Sequence, residues 1–166
     1  MPPSLEPPLA AFLERFRSIL LAVFGEDLIS LALYGSYARG AATPESDIDL
    51  LAVVEDGSAD PMGRAVTASI QAERTAEYAS LKKGGWGPVV SCPALTRKEA
   101  IEFHWIYLDM VQEALLLHDK DHFLKNRLQE LGQRLHALGS RKSVLPDGSW
   151  YWDLKPGLQP GEVIEL

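Results

Sequence analysis

The chain has 166 residues, 46% of them hydrophobic and 23% charged, which is enough for one compact domain with a real core. Its formal net charge of −7 argues against a general nucleic-acid binder, because binding phosphates requires clustered lysines and arginines. It lacks the run of about 18 apolar residues that a membrane span needs. Its single cysteine, Cys92, can form no disulfide within the chain, and its first residues lack the features of a signal peptide, so we expect a cytoplasmic protein.

The first part of the chain predicts a helix and two strands. Apolar residues recur at helical spacing over residues 9–24. The nearly all-apolar run Leu28–Tyr34 predicts a buried strand that ends at Gly35-Ser36, and residues 47–54 predict a second strand. The residues between them, 37–46, include a glycine and a proline, so we expect a loop or a short helix followed by a turn there.

The middle of the chain predicts a long helix, a third strand and a well-marked helix start. Residues 60–85 have helical periodicity. Residues 88–95 predict the third strand, in which Pro93 indicates a sheet edge or a bend. Thr96 and Glu99 form a capping-box pattern for the helix that follows.

The C-terminal part predicts more helix and then a β-hairpin. Residues 109–117 and 122–138 have apolar helical spacing, and residues 143–154 place a Pro-Asp-Gly turn between two short β-prone runs. Strands that alternate with helices indicate an α/β (α+β) fold, a small mixed sheet flanked by helices. We divide the chain into a core domain, residues 1–119, and a C-terminal helix and hairpin extension, residues 120–166, that packs on the core or on a partner.

Polar residues follow the first strand and open the second. Gly35-Ser36 ends the first strand, ten residues follow, and Asp47 and Asp49 flank Ile48 in the next strand. Alternation along a strand puts the two aspartates on one face. Neighbouring carboxylates repel each other unless a cation lies between them, and a few oxygen ligands with room for phosphate suit Mg²⁺. The glycine permits close backbone approach, and the serine offers a hydroxyl and an N–H to a phosphate.

This pattern resembles the signature of the polymerase-β-like nucleotidyltransferase superfamily, and in particular its minimal stand-alone (MNT-type) members. The motif covers residues 35–49, and the order of strands and helices extends the likeness to about residue 119. The resemblance implies a polymerase-β-like nucleotidyltransferase fold. It also implies that Gly35-Ser36 and the two aspartates form a functional site and are not merely turn and capping residues.

The resemblance implies roles for five residues. Asp47 and Asp49 are the expected catalytic residues and the ligands of Mg²⁺. Gly35 and Ser36 are expected to bind the phosphates of ATP or of another nucleoside triphosphate. Arg39 is placed to reach the triphosphate, since arginine makes bidentate phosphate contacts, but a surface salt bridge is an equal alternative.

The resemblance further implies a reaction and a partner. An acceptor hydroxyl attacks the α-phosphorus, pyrophosphate leaves, and a nucleotide monophosphate, AMP if ATP is the donor, stays on the acceptor. Small stand-alone members are often the antitoxin of a toxin–antitoxin pair, in which the partner is a helical HEPN-type ribonuclease that is adenylylated on a tyrosine. We therefore expect a protein partner, with homo-oligomerisation as a further option, and binding neither to a membrane nor to nucleic acid.

One residue of the superfamily pattern is missing. Active members usually carry a third carboxylate on a later strand, where it helps to bind metal and activates the acceptor hydroxyl. The matching strand here, residues 88–95, contains no acidic residue and has Ser91 or Cys92 at that place. The following segment offers three substitutes, each better explained as a surface or capping residue: Glu99, Glu102 and His104.

Other features leave alternatives open. The basic residues from Lys120 to Lys142 indicate either a solvated helix face or a docking surface for RNA or an acidic partner. Trp150 and Trp152 share one face of the predicted hairpin, and either close a core or contact a partner. The alternative functions are a non-catalytic nucleotide-binding antitoxin or regulatory module, which the missing carboxylate favours, and nucleotidyl transfer to a small molecule or to RNA.

Overall fold

The computed structural model describes residues 6–83, 85, 88–146 and 149–166. The α-helices are α1 Pro7–Phe24, α2 Gly35–Ala38, α3 Pro61–Ala72, α4 Ala76–Lys83, α5 Arg97–Ile101, α6 Ile106–Glu113 and α7 Phe123–Ala137. The strands are β1 Leu28–Tyr34, β2 Ile48–Val54, β3 Val90–Ser91, β4 Ala94–Thr96, β5 Leu115–Asp119, β6 Arg141–Val144 and β7 Trp150–Asp153. None of the helices within the described ranges combines the length and the apolarity that crossing a bilayer requires.

A mixed sheet forms the centre of the fold, in the order β3–β2–β1–β5. Strand β1 runs antiparallel to both β2 and β5. Strands β3 and β4 pair in parallel with β2, one after the other, and so form two parts of a single edge strand. The interruption falls at Cys92-Pro93, where the proline has no N–H to donate to a ladder. The predicted mixed sheet is confirmed, as is the edge position of Pro93.

The two faces of the sheet are covered by different helices. On one face, alternate residues of β1 and β2, such as Leu33 and Leu50, pack with the apolar sides of α1, α3 and α4. On the other face, Ala32 and Leu51 pack with α6 and α7. Because side chains alternate along a strand, Asp49 shares its face with Leu51 and therefore lies on the side of α6 and α7.

Local sequence signals explain several element boundaries. Helix α1 has a proline in its first turn and ends at Gly25, which has a φ of +58°. Helix α5 begins with the predicted capping box, in which Thr96 Oγ1 accepts from the Glu99 N–H at 3.2 Å and Glu99 Oε2 accepts from the Thr96 N–H at 2.8 Å. The capping-box prediction is confirmed.

Two of the helix predictions need correction. The segment 60–85 forms two helices, α3 and α4, with a break after Ala72. The segment 109–117 is only partly helical, because α6 ends at Glu113 and Leu115–Asp119 forms strand β5 on the free edge of β1. A short apolar run is compatible with a buried helix and with a strand. Here the hydrogen bonds to β1 give residues 115–119 the strand conformation.

The C-terminal part combines a helix and a hairpin. Helix α7 packs against α6 and the sheet, and β6 and β7 pair antiparallel, with Lys142 opposite Trp152 and Val144 opposite Trp150. The predicted hairpin is therefore present, although its Pro-Asp-Gly turn includes Asp147 and Gly148, which lie outside the described residues. The division of the chain at residue 119 stays a prediction.

Candidate active site

Gly35 directly follows the first strand and lies against the carboxylate of Asp49. Tyr34 and Asp49 are opposite each other in the β1–β2 register, and α2 begins at the next residue of the chain. Gly35 has a φ of +71°, and a Cβ atom at this position would lie 2.6 Å from Asp49 Oδ2. Both the backbone conformation and the close approach therefore require glycine.

Asp47 lies just before β2 and contacts the residue that precedes β3, the neighbouring strand of the sheet. Its Oδ1 accepts from the Val89 N–H at 3.3 Å, and the residue is exposed to solvent. The preceding loop is closed by Ser46, whose Oγ accepts from the Thr43 N–H at 2.9 Å. The Val89 contact joins the Asp47 carboxylate to the segment that leads into β3.

The two carboxylates influence each other electrostatically. Burial raises the pKa of Asp49, the charge of Asp47 raises it further, and the nearby Arg39 guanidinium opposes these effects. No group of three or more His, Cys, Asp or Glu side chains in the described part of the chain could form an all-protein metal cage. A pair of carboxylates on an open edge instead fits Mg²⁺, which keeps several waters and takes substrate oxygens as its remaining ligands.

Ser36 and Arg39 lie within and just after the short helix α2. Ser36 is in the first turn, where backbone N–H groups have no partner inside the helix. Arg39 forms an ion pair with Glu113, with 3.3 Å between Nη1 and Oε2, and its side chain is 28% exposed. Glu113 also binds Lys142 of the hairpin, with 3.0 Å between Oε1 and Nζ. The salt bridge considered for Arg39 is thus present, and its role in phosphate binding stays a prediction.

Ser91, one of the two residues expected in place of the third carboxylate, lies beside Asp49. It pairs with Asp49 in the parallel register of β2 and β3. The neighbouring Cys92 is buried, and burial raises the pKa of its thiol to about 12, which keeps the thiol protonated and unreactive.

The suggested substitutes on the following segment have other surroundings. Glu99 belongs to the capping box, and the backbone carbonyl of the same residue lies 2.9 Å from His104 Nε2. Glu102 is exposed at the end of α5. The capping role expected for Glu99 is confirmed.

Sequence reasoning missed two acidic residues of α6, Asp109 and Glu113. They are four residues apart and therefore on the same side of the helix. Burial raises the pKa of Asp109, while the positive charges of Arg39 and Lys142 act against this. Two acids four residues apart on one side of a mainly apolar helix were the signal available in the sequence.

Comparison with known proteins identifies the family. The family described as "Nucleotidyltransferase domain" matches residues 12–116, which include both strands of the site, α2 and α6. The chain therefore belongs to the nucleotidyltransferase domain family.

Individual relatives are more distant or match over shorter stretches. A Methanocaldococcus jannaschii protein named "Putative protein adenylyltransferase" is 45% identical over 51 residues, which is 31% of this chain and 35% of that protein. The match thus spans about a third of the curated relative.

Two solved structures resemble the fold at low sequence identity. A chain from a complex of a tri-AMPylated Shewanella oneidensis HEPN toxin with an MNT antitoxin has a TM-score of 0.46 at 13% identity, covering 78% of this chain and 92% of that chain. A chain of a toxin–antitoxin structure with AMP-PNP has a TM-score of 0.43 at 16% identity, covering 76% and 92%.

Proposed function

We propose that this protein is a Mg²⁺-dependent nucleotidyltransferase that transfers AMP from ATP to a hydroxyl group of a partner protein. The observation that carries this proposal is the approach of the Asp49 carboxylate to Gly35, with Asp47 beside it, at the point where β1 enters α2. Membership of the nucleotidyltransferase domain family supports the reaction class. The name of the Methanocaldococcus relative supports a protein as the acceptor.

Each residue of the site has a different role in the proposed reaction. Gly35 leaves room for the Asp49 carboxylate, and the N–H groups of the first turn of α2 with the Ser36 hydroxyl bind the phosphates. Asp47 and Asp49 hold Mg²⁺, which when bound stabilises the charge of the attacking and departing oxygens. Arg39 exchanges Glu113 for a phosphate oxygen of the substrate. The acceptor oxygen then attacks the α-phosphorus, and pyrophosphate leaves.

We propose that a second protein carries the acceptor hydroxyl. Minimal nucleotidyltransferases of this kind imply a HEPN-type toxin whose tyrosine receives the AMP. The net charge of −7 supports a protein rather than a nucleic acid as the acceptor.

Transfer of radioactive label from ATP that carries it at the α-phosphorus tests the proposal. The full chain is incubated with Mg²⁺ and the labelled ATP, alone and with the product of the adjacent gene. We expect label on the partner, and its loss in Asp47→Asn and Asp49→Asn, which keep the shape of the side chain but remove its charge. Glu45→Gln is the matched control, because Glu45 is an exposed acid of the same loop. Equal labelling by all four proteins would contradict the proposed catalytic site.

A second candidate is a non-catalytic nucleotide-binding module that acts by forming a complex. The observation that favours it is Ser91, which stands beside Asp49 where a third carboxylate is expected. This candidate predicts that ATP binds in calorimetry and that the partner complex forms, while no label moves under any condition. Label transfer that depends on Asp49 would eliminate it.

A further inference from the structure

Helix α3 carries an apolar stripe that the core does not cover. Met62, Val66 and Ile70 follow one another at intervals of four residues and therefore line one side of the helix. They are 47%, 49% and 49% exposed, respectively. The opposite side of α3 consists of small residues, such as Ala65 and Ala68, and packs into the core with α1. Helix α3 is thus apolar on both its inner and its outer side.

The outer side of α3, a helix that the structure describes in full, is uncharged. The row next to the stripe consists of Gly63, Thr67 and Gln71. Arg64 is the one charged residue of the helix and is directed inward, where its guanidinium donates to the Val23 carbonyl and lies 4.5 Å from the centre of the Phe24 ring. A solvated helix normally carries charged side chains on its outer side, so this surface indicates a contact with another molecule.

Opposite charges lie at the two ends of the stripe. Asp60 caps the start of α3 with its Oδ1, which accepts from the Gly63 N–H at 3.2 Å, while its Oδ2 has no partner among the described residues. Arg74 continues the line of the stripe just beyond the helix, and its exposed side chain forms no ion pair or hydrogen bond within the described ranges. Glu73, which precedes it, accepts from the Val90 N–H at 3.2 Å. One end of the stripe is therefore acidic and the other basic.

We propose that α3 is the contact surface of a homodimer, in which the α3 helices of two copies pack side by side in opposite directions about a two-fold axis. An axis near Val66 brings the two stripes together, with Met62 of one copy opposite Ile70 of the other. Arg74 of each copy then lies within about 3 Å of helix rise of the level of Asp60 in the other. The opposite directions also bring the positive start of one helix beside the negative end of the other. This self-complementarity favours a second copy of the chain over an unrelated partner.

The size of the contact predicts a weak dimer. Helix α3 has 12 residues and is therefore about 18 Å long. A contact of this length is at the lower end of specific interfaces, so we expect a Kd of about 10–100 µM. The contact does not cover the proposed active site, because α3 and Asp49 lie on opposite faces of the sheet. Dimerisation through α3 is therefore independent of the proposed nucleotidyl transfer.

Sedimentation velocity of the full chain, without nucleotide, tests for the dimer. The chain is measured from about 5 µM to about 1 mM in about 0.15 M NaCl, which screens the repulsion between two chains with a net charge of −7. We expect a reversible shift from monomer to dimer over this range. A chain that stays monomeric throughout overturns the proposal. Loss of binding to the product of the adjacent gene in Val66→Glu would then assign the stripe to that protein instead.

Val66→Glu is the principal variant. It places two carboxylates next to each other at the two-fold axis, so we expect the association constant to fall at least about tenfold. The matched control is Val163→Glu, the same substitution at a valine that is 84% exposed in the C-terminal segment. This control should associate as the unchanged chain does. An equal loss in both variants would attribute the effect to net charge and overturn the assignment of α3.

A double-mutant cycle tests the opposite directions of the two helices. Asp60→Asn and Arg74→Gln each remove one partner of the proposed ion pair, and the asparagine still supplies an oxygen to cap α3. Because the pair occurs twice in a symmetric dimer, each single variant should lower the association constant by about two- to tenfold. The double variant should lose no more than the larger single effect. Single effects that simply multiply in the double variant would show that Asp60 and Arg74 do not meet, and would overturn this arrangement.

Discussion

Gly35 carries the strictest steric requirement of the site, because its φ of +71° and its contact with Asp49 both exclude a side chain. We expect Gly35→Ala to lower the free energy of unfolding by about 1–3 kcal/mol, since the left-handed backbone and the clash add together. The displaced Asp49 carboxylate should also weaken MgATP binding by at least about tenfold, or about 1.4 kcal/mol. Urea denaturation and titration calorimetry measure the two effects.

The matched control is Gly25→Ala, at a glycine with a φ of +58° and no atom within 4 Å of the added Cβ. It should show the backbone effect on stability but leave the affinity for MgATP unchanged. If both variants bound MgATP normally, the contact between Gly35 and Asp49 would have no functional meaning.

Asp49 makes the stability of the metal-free protein dependent on pH. Burial and the charge of Asp47 raise the pKa of Asp49 above its ordinary value of 3.8 in the folded state. The folded state is therefore favoured while Asp49 is protonated, and this stability is lost as the pH rises from 3.8 through the raised pKa. The amide of the variant Asp49→Asn cannot ionise, so that variant should melt higher at pH 7, on the order of 2 °C after allowance for solvent screening.

Scanning calorimetry in EDTA at pH 7 and at about pH 3.5 measures this difference. We expect the gain of Asp49→Asn to disappear at the lower pH, and to disappear at pH 7 when Mg²⁺ and ATP stabilise the unchanged protein. A gain of equal size at both pH values would show that charge is not its cause.

The sequence predicts the site residues that are close together along the chain, but not those that only folding brings together. Gly35, Asp47 and Asp49 belong to one continuous motif that ends one strand and begins the next, so spacing alone brings them together. The contact between Arg39 and Glu113 joins residues 74 positions apart. It depends on how α6 packs, and no local pattern specifies that packing.

At the scale of elements, Asp119 joins the sheet to helix α7. Its carboxylate accepts from Ser30 Oγ in β1 at 2.6 Å and from the N–H groups of Leu124 and Lys125 at 2.9 and 3.1 Å. We expect Asp119→Ala to lower the free energy of unfolding by about 1–3 kcal/mol, because it removes a charged helix cap and leaves the buried Ser30 hydroxyl without its acceptor. Urea denaturation with circular dichroism measures this change.

The control for this prediction is Asp119→Asn, whose single amide oxygen can still accept from Ser30 and from the Leu124 N–H, while the Lys125 N–H loses its acceptor. It should retain at least half of the stability that Asp119→Ala loses. An equal loss in both variants would indicate that the charge and the Lys125 contact, rather than the hydrogen bonds to Ser30 and Leu124, are essential.

The elements themselves differ in how far sequence determines them. Strands β1 and β2 were predictable because each is a bounded apolar run next to turn residues, and α1 because its apolar side repeats over many turns. Strand β5 was not, since Leu115–Asp119 gains its conformation from pairing with the free edge of β1. The division of the predicted third strand into β3 and β4 likewise depends on how the segment around Pro93 meets β2.

At the scale of the whole molecule, a three-membered ion chain connects the proposed phosphate site to the C-terminal hairpin. Glu113 of α6 binds Arg39 after α2 and Lys142 of β6, and Lys142 also lies 4.5 Å above the ring of Trp150. In Lys142→Met, Glu113 keeps only Arg39 and holds it more tightly away from a phosphate. We expect the Kd of MgATP to rise by about two- to fivefold, equivalent to about 0.4–1 kcal/mol, as measured by calorimetry.

The matched control is Lys125→Met, which removes the charge of an exposed lysine of α7. Lys125→Met changes the net charge by the same amount as Lys142→Met. A similar loss of affinity for MgATP in Lys125→Met would therefore show that net charge, and not the pairing of Glu113, causes the loss. Hydrogen exchange of the hairpin provides a second measurement, since only Lys142→Met should increase it.

The shared carboxylate of Glu113 has a thermodynamic consequence for the partner. When Arg39 binds a triphosphate, it no longer pairs with Glu113, so Glu113 pairs with Lys142 alone. The stronger pair between Glu113 and Lys142 then holds the hairpin more firmly against α6. A protein that binds the tightened hairpin must then raise the affinity for the nucleotide, and the nucleotide must raise the affinity for that protein by the same factor. We therefore expect the partner to bind the nucleotide-loaded protein more tightly than the empty one.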